Sequence, residues 1–456
     1  MNNLCFDDIL SKRIKFGKVQ IQTFFIISLL DIIDGSEFMF LQLMNAIIYK
    51  EWSLSLGQLI ILTTIFNLGQ FIGAMFYGQF SDQTGRKSMI VSSCLLQVLN
   101  NTMFLTAFVQ NLPQLLILRF LFGFLFGITS PVSSILMAEV TPLHIRGQFI
   151  VTLQMMCIVG RMWVLLLAIL FLDSIASGNW RALAITNSVQ SIICLIGSII
   201  YLHESPRFLI CQGKIKEGIE GINYMGRIND NNYVDLSDEE VQSLKQWRQI
   251  IFEQQFEKKS FKDLFNEENL PITWRAYSLS IIAMLMQSGL YIIIPFLFDE
   301  EEKTLLDLFY TVLIEIPAVL LVVCLIDRIG RLPIILIGTV TSAIAVFIIW
   351  YWKARFLLLG LVTFKFFNRM IFISFTPLVL ESYSTVYRSL GTGTTIAFGS
   401  ATGFISPAII LHLYEKDNYS PFLVSFFILI VMTIIFATYP RDLTRKPLDI
   451  KFEKED

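Results

Sequence analysis

The 456-residue chain predicts an all-α membrane protein with 12 transmembrane helices in two pseudo-symmetric six-helix halves. Three observations carry that prediction. Roughly twelve apolar stretches of about 20 residues are long enough to cross a ~30 Å hydrocarbon core as helices. A charged turn, Gly78-Gln79-Phe80-Ser81-Asp82-Gln83-Thr84-Gly85-Arg86-Lys87, has an echo about 245 residues later in Asp327-Arg328-Ile329-Gly330-Arg331. One long polar segment separates the two copies. A compact turn recurring at half the chain length indicates a duplicated membrane protein, and such duplication points to a transporter.

Composition excludes several other classes. Apolar residues make up 54% of the chain, charged residues 16%, and mean hydropathy is +0.63. A soluble domain usually carries about 25% charged residues. A net charge of -2 gives no electrostatic footprint for nucleic acid. No zinc-type Cys/His spacing appears, so neither a metal nor a cofactor is expected. The cysteines Cys5, Cys94, Cys157, Cys194, Cys211 and Cys324 fall in apolar runs or in segments placed inside the cell, and are expected to remain thiols. The first twenty residues are polar and of mixed charge, so the first apolar run is expected to act as both signal and anchor.

The spans fall near 20–48, 55–80, 88–109, 113–138, 147–173, 180–203, 274–298, 304–326, 332–350, 356–383, 389–413 and 420–439. An even number puts both termini on one side of the bilayer. Lys12, Arg13, Lys15 and Lys18 precede the first span, and Arg441, Arg445 and Lys446 follow the last. Arg86, Lys87, Arg146, Arg328, Arg331 and Arg388 lie in turns on that side, against Lys50, Arg181, Lys303, Lys353, Arg355 and Lys416 on the other. That asymmetry places both termini in the cytosol. The sequence leaves open whether the membrane is the plasma membrane or that of an intracellular vesicle.

The expected domains are a first half at 1–203, a cytosolic linker at 204–273, a second half at 274–440 and a cytosolic tail at 441–456. The linker is dense in Glu, Gln, Lys and Arg around 239–256, which favours short surface helices. It holds no paired acids, no nucleophile with a base and no phosphate-cradling loop, so the chain is not expected to be an enzyme.

A second echo supports the duplication. Glu139 and Arg146 end span four, and Glu381 and Arg388 end span ten at the same spacing. Each acid and Arg flank a helix end at the cytosolic surface, where they can pair within their half. Asp82 and Arg86 can cap and bridge helix ends in the same way. These groups are either membrane-surface anchors or a charge latch that opens as the halves rock. The latch is preferred, because such pairs are partly dry and must break in one state. Gly78, Gly85 and Lys87 complete the first turn. The second, with Asp327 and Arg331, has Val323 at the place of Gly78 and Leu332 at the place of Lys87, and is expected to be the weaker latch.

These turns resemble the signature of the major facilitator superfamily, Gly-x3-Asp-x2-Gly-Arg-Lys between spans two and three. Arg119-Phe120-Leu121-Phe122-Gly123-Phe124-Leu125-Phe126-Gly127 resembles its fourth span. Glu204-Ser205-Pro206-Arg207-Phe208-Leu209 is similar to an element after span six in sugar and organic-ion porters, as are Trp180-Arg181, Glu315-Ile316-Pro317 and the region of Pro440-Arg441-Asp442. Arg441 stands where many sugar porters have Glu. The resemblance covers nearly the whole chain. It implies the major facilitator fold, alternating access, a monomer in the lipid bilayer and a small organic solute as cargo. Within the group, Asp34-Gly35-Ser36-Glu37 resembles elements of aromatic-acid/proton symporters and of synaptic-vesicle-2-related transporters. Organic-cation porters fit less well: Tyr49 to Ser53 leaves almost nothing outside, and span eleven from Gly391 to Leu413 has no acid. Gln287-Ser288-Gly289 in span seven is only a faint match to sugar porters.

The functional reading rests on charges within the spans. Asp31, Asp34 and Glu37 form a stripe along one side of span one. Arg119 lies in span four, Arg161 in span five, Glu315 in span eight, and Lys365 and Arg369 on span ten. Each costs on the order of 2.5–3.5 kcal/mol at a lipid-facing mid-span position, so they must face a cavity or one another. They are then structural ion pairs, which suits Arg119 best because it begins a Gly-x3-Gly packing face, or they mark a substrate and ion route. On the second reading Asp34 and Glu37 are proton carriers, since a carboxylate in apolar surroundings can cycle its protonation near neutral pH. Arg119 is their partner in one conformation. Arg161, Arg369 and Lys365, with Glu315, form the substrate-binding set, and an Arg fork suits a carboxylate bidentately. Phe366, Phe367, Phe372, Trp163 and Tyr291 could stack on a ring, although such aromatics more often pack or face lipid. Three functions follow: a proton-coupled organic-anion porter, a porter of sugar or another neutral solute, or a non-transporting receptor or assembly partner on the same fold.

Overall fold

The structure, a computed structural model, describes residues 6–129, 132–256, 264–266, 269–300, 304–383 and 388–438. The description stops at the backbone for 74–83, 129, 143, 144, 147, 150, 250–256, 299, 300, 327, 376, 380, 381, 388–390 and 392. Apart from one two-stranded hairpin, the regular structure of these residues is helical. A short helix α1 (Phe6–Ile9) runs on through a π turn to Ile14, and α2 (Lys18–Glu51) forms span one. Spans two and three are α3 (Leu56–Thr84) and α4 (Arg86–Leu99), the latter continuing as a π-helix over Asn100–Phe108. Span four is α5 (Leu112–Thr129) with α6 (Val132–Val140), and span five is α7 (Leu143–Phe171). The hairpin of β1 (Leu172–Ser174) and β2 (Ser177–Gly178) leads into α8 (Trp180–Asn187) and α9 (Val189–Tyr201), which make span six.

The linker carries α10 (Pro206–Cys211), α11 (Ile215–Asn229) and α12 (Asp238–Phe256). The second half follows as α13 (Leu270–Glu300), α14 (Leu305–Leu313) with α15 (Glu315–Ile329), α16 (Arg331–Trp352), α17 (Leu357–Ser382), α18 (Arg388–Lys416) and α19 (Ser420–Ala437). Ten stretches of the described residues are long and apolar enough to span a membrane. One of them, Arg331–Val379, runs through both α16 and α17, and α2 with its acids falls outside the ten. Counting Arg331–Val379 as two spans and adding α2 gives the twelve spans expected from the sequence.

The duplication is visible in the packing. In the first half α2 packs on α7, α3 on α5 and α4 on α9. The second half repeats that order, with α13 on α18, α15 on α17 and α16 on α19. Close approach is made possible by glycine, because a built Cβ on Gly35 would lie 1.8 Å from the Cys157 carbonyl oxygen. One on Gly160 would lie 1.9 Å from that of Ile32, and one on Gly73 2.0 Å from that of Phe124. Spans one and five, and spans two and four, therefore touch backbone to backbone. Polarity is turned inside out relative to a soluble helix. On α9, Gln190, Ser191, Cys194 and Ser198 are buried, while Ile192, Ile193, Ile196, Ile199 and Ile200 are exposed. Such a face is stable only against lipid.

Candidate functional site: charged clusters inside the bundle

Span eight is broken by its own sequence. Pro317 has no N–H to give the Leu313 carbonyl, so the helix is interrupted at Ile314 and restarts at Glu315. The break puts the Glu315 carboxylate on the first turn of α15, where the helix dipole favours an acid. Arg161, on α7 of the opposite half, grips it with both arms: Nη1 donates to Oε1 at 2.9 Å and Nη2 to Oε2 at 2.5 Å. Glu315 is fully buried and Arg161 is 5% exposed. Two cations stand beside the pair. Arg369 Nε lies 3.9 Å from Glu315 Oε2, and its Nη2 donates to the Gln154 carbonyl at 2.6 Å. Lys365 donates to Thr311 Oγ1 at 2.8 Å and sits over the Tyr291 ring at 5.3 Å. Three buried cations thus share one carboxylate, at the seam between the halves. The sequence grouped these four residues but did not show that Arg161 and Glu315 join across halves. Helical spacing gives a residue's face on its own helix, not the rotation of the helix opposite.

The acid stripe of α2 points into the first half. Glu37 is 1% exposed and accepts from two amides at Oε1: Asn101, in the π-helical part of span three, and Asn187 at 3.0 Å, at the end of α8. The Gln190 amide extends the network to Ser36 and to Asn187. Asp34 is 9% exposed, and its Oδ1 has no hydrogen-bond partner. Arg119 is buried but does not pair with either acid. Its Nη2 donates to Asn45 Oδ1 at 3.2 Å, and it is near enough to Glu37 for the two charges to attract without a direct hydrogen bond. Asn45, Asn101, Asn187 and Gln190 are residues that the sequence reading missed. Amides inside otherwise apolar runs were the available signal. Of the ring candidates, Tyr291 is buried beside the cations, and Trp163 is 37% exposed.

At the linker end, Gly85 adopts φ +86°, which a side chain would strain, and the turn ends with its backbone donors aimed at Glu204. Glu204 accepts from Arg86 N at 3.0 Å and Lys87 N at 3.1 Å, capping the start of α4. The Arg86 side chain bonds Glu139 at 3.2 Å and stacks on Phe208. Glu139 and Arg146 each pair within the first half, but with different partners: Glu139 takes Arg86, and Arg146 reaches Asp7 of α1 at 2.7 Å. The reason is α1, which folds back beneath the turn and also brings Asp7 to Arg207 at 3.5 Å. Asp7 carried no signal in the sequence, being one acid in a polar stretch. In the second copy Gly330 repeats the left-handed turn at φ +99°, and Arg331 donates to the Ile326 carbonyl at 3.2 Å. The side chains of Asp82, Asp327, Glu381 and Arg388, and the placement of Gly78, lie outside the described residues.

A family model described as "Sugar (and other) transporter" matches residues 39–446. The synaptic vesicle 2-related protein of Bos taurus is 25% identical over 440 residues, covering 90% of this chain and 76% of that protein. The niacin transporter NiaP of Acinetobacter baylyi is 24% identical over 422 residues, covering 88% of this chain and 89% of that protein. Among solved structures, the inward open conformation of the xylose transporter XylE from E. coli superposes with a TM-score of 0.76 at 17% identity. That likeness covers 94% of this chain and 98% of the other.

Proposed function

The chain belongs to the sugar (and other) transporter family of the major facilitator superfamily, and from that premise we propose that it moves a small organic anion, coupled to protons, by alternating access. One observation carries the choice of cargo. The hydrogen bonds of Lys365 and Arg369 go to neutral acceptors, and the one carboxylate of the cluster, 3.9 Å from Arg369, is gripped by Arg161, so three cations stand against one acid. A buried excess of cation is costly unless an anion comes to meet it. The name of one relative, a niacin transporter, gives a ring carboxylate as that protein's cargo, which supports the same chemistry. Asp34 is the proposed proton carrier, with a buried oxygen that no donor occupies; Glu37 is the second, held by amides. The turns around Arg86, Glu139 and Arg146 serve as the latch of the rocking motion. The protein works as a monomer in the bilayer, with both termini in the cytosol.

A neutral-solute porter is the second reading. The bidentate Arg161–Glu315 pair favours it, because that guanidinium is already neutralised. Uptake into proteoliposomes with acid outside separates the two, using benzoate, nicotinate and lactate against glucose and xylose. Acid-driven entry of a carboxylate is the expected result. Arg369→Ala should then weaken its apparent affinity by roughly 10- to 100-fold, corresponding to the ~1.5–3 kcal/mol of a charge-assisted hydrogen bond. Sugar uptake without carboxylate uptake would reverse the assignment.

A further inference from the structure

The Arg161–Glu315 pair has the shape of an occupied carboxylate site. A planar guanidinium fork meets two carboxylate oxygens in a dry interior, and a small carboxylate cargo would present the same two atoms in the same plane. The pair also joins α7 of one half to α15 of the other, and the side chains of both partners are nearly solvent-free. We propose that Glu315 is an internal stand-in for the cargo: the cargo carboxylate displaces it from Arg161, and Glu315 leaves as the neutral acid. This rests on the anion reading above and adds to it the place where proton and cargo exchange.

The groups facing Glu315 decide whether it can remain charged after displacement. From α7 there is Arg161, with Cys157 beside it; from α17, Arg369 and Lys365; from α13, Tyr291. The hydrogen bonds that Glu315 accepts come from Arg161. Arg369 stands 3.9 Å off with its Nη2 committed to Gln154, and Lys365 is committed to Thr311. Neither replaces both lost bonds. A fully buried carboxylate left without donors is cheaper neutral than charged. The balance closes: one cargo carboxylate and one proton enter, the cargo takes both Arg161 hydrogen bonds, and Glu315 gains an O–H. The exchange also unties α7 from α15. Binding of cargo and freedom of the halves to rock are thereby the same event, which is what coupling requires.

The sign of the pH effect follows. Each anion bound brings one proton to the displaced Glu315, so the anion binds more tightly as pH falls; Glu315→Gln leaves Arg161 free of its carboxylate at any pH. Binding of benzoate, nicotinate and lactate to the full-length protein in nanodiscs, measured from pH 5.5 to 8, reads this out. For the unaltered protein, Kd should weaken toward tenfold per pH unit, the limit for uptake of one proton. Glu315→Gln should bind at least about tenfold tighter at the alkaline end, with a flat profile. Glu315→Asp keeps the carboxyl and should keep the slope. An unchanged slope in Glu315→Gln overturns the proposal while leaving the anion reading intact. If that variant does not fold, proton uptake on binding by the Asp34→Asn/Glu37→Gln variant decides, with one proton per anion expected and none overturning the exchange. If none of the three carboxylates binds at any pH, the anion reading fails, and this inference falls with it.

Discussion

Glu37 shows how one residue's neighbours define its role. Its hydrogen bonds come from amides rather than from a cation, and both amides converge on a single oxygen. Asn101 reaches it because span three widens into a π-helix at Asn100, a local change often found at functional positions. Asn187 reaches it because α8 ends there, with Ser188 turning its hydroxyl back onto the Ile185 carbonyl at 2.6 Å. Replacing Asn187 with Leu removes one donor to a buried carboxylate, worth roughly 1.5–3 kcal/mol when that acid is charged. A lower thermal midpoint is expected at neutral pH, with the deficit shrinking in acid as Glu37 protonates and no longer needs the donor. A deficit equal at pH 5 and pH 8 would show that the amide matters for packing alone. Asp34, one turn away with an oxygen no donor occupies, should show no such dependence on Asn187.

At the scale of elements, the join between α2 and α7 sets where these charges sit. Gly35 lies between Asp34 and Glu37 on span one, and its α-carbon faces the Cys157 carbonyl, one turn before Arg161. Gly35→Ala would place a Cβ 1.8 Å from that backbone oxygen, a contact that can be relieved only by moving a whole helix. The expected outcome is a large loss of folded yield and of thermal stability. Gly57→Ala is the matched control, because its nearest atom would be Ser55 Oγ at 4.0 Å. Equal behaviour of the two variants would refute the close helix contact. The sequence disclosed the helices, the repeated charged turns around Gly85 and Gly330, and the face carrying Asp34 and Glu37, because each is written in local spacing. Partnerships were hidden. Arg161 and Glu315 stand 154 residues apart, and the rotation that aligns them is set by backbone contacts such as Gly35 on Cys157. The partner of Arg146 was hidden for a related reason, since Asp7 comes from a segment with no span of its own.

Across the whole molecule the spans obey the twofold repeat, but the linker end departs from it. Among the described residues, α1 and the linker helices clasp the first half. Phe6 stacks on Trp247 of α12 at 5.7 Å, Arg13 pairs with Glu240 at 2.9 Å, and Asp7 bridges Arg146 and Arg207. The clasp sits against the turn after span four, so any rocking that shifts Arg146 must carry α1 and α10 along or break these pairs. Their side chains are about one-fifth to one-third exposed, so each pair is worth at most about 1 kcal/mol. Contacts this weak cannot decide whether the bundle folds, but they can bias its choice of open state. Asp7→Asn should therefore leave the thermal midpoint almost unchanged while altering the rate of substrate exchange up to about fivefold, the kinetic equivalent of ~1 kcal/mol. The linker should at the same time become more open to limited proteolysis. Glu217→Gln, on an exposed linker position, should do neither. If Asp7→Asn lowers the thermal midpoint sharply without changing exchange, the clasp is a folding contact of the first half and takes no part in switching.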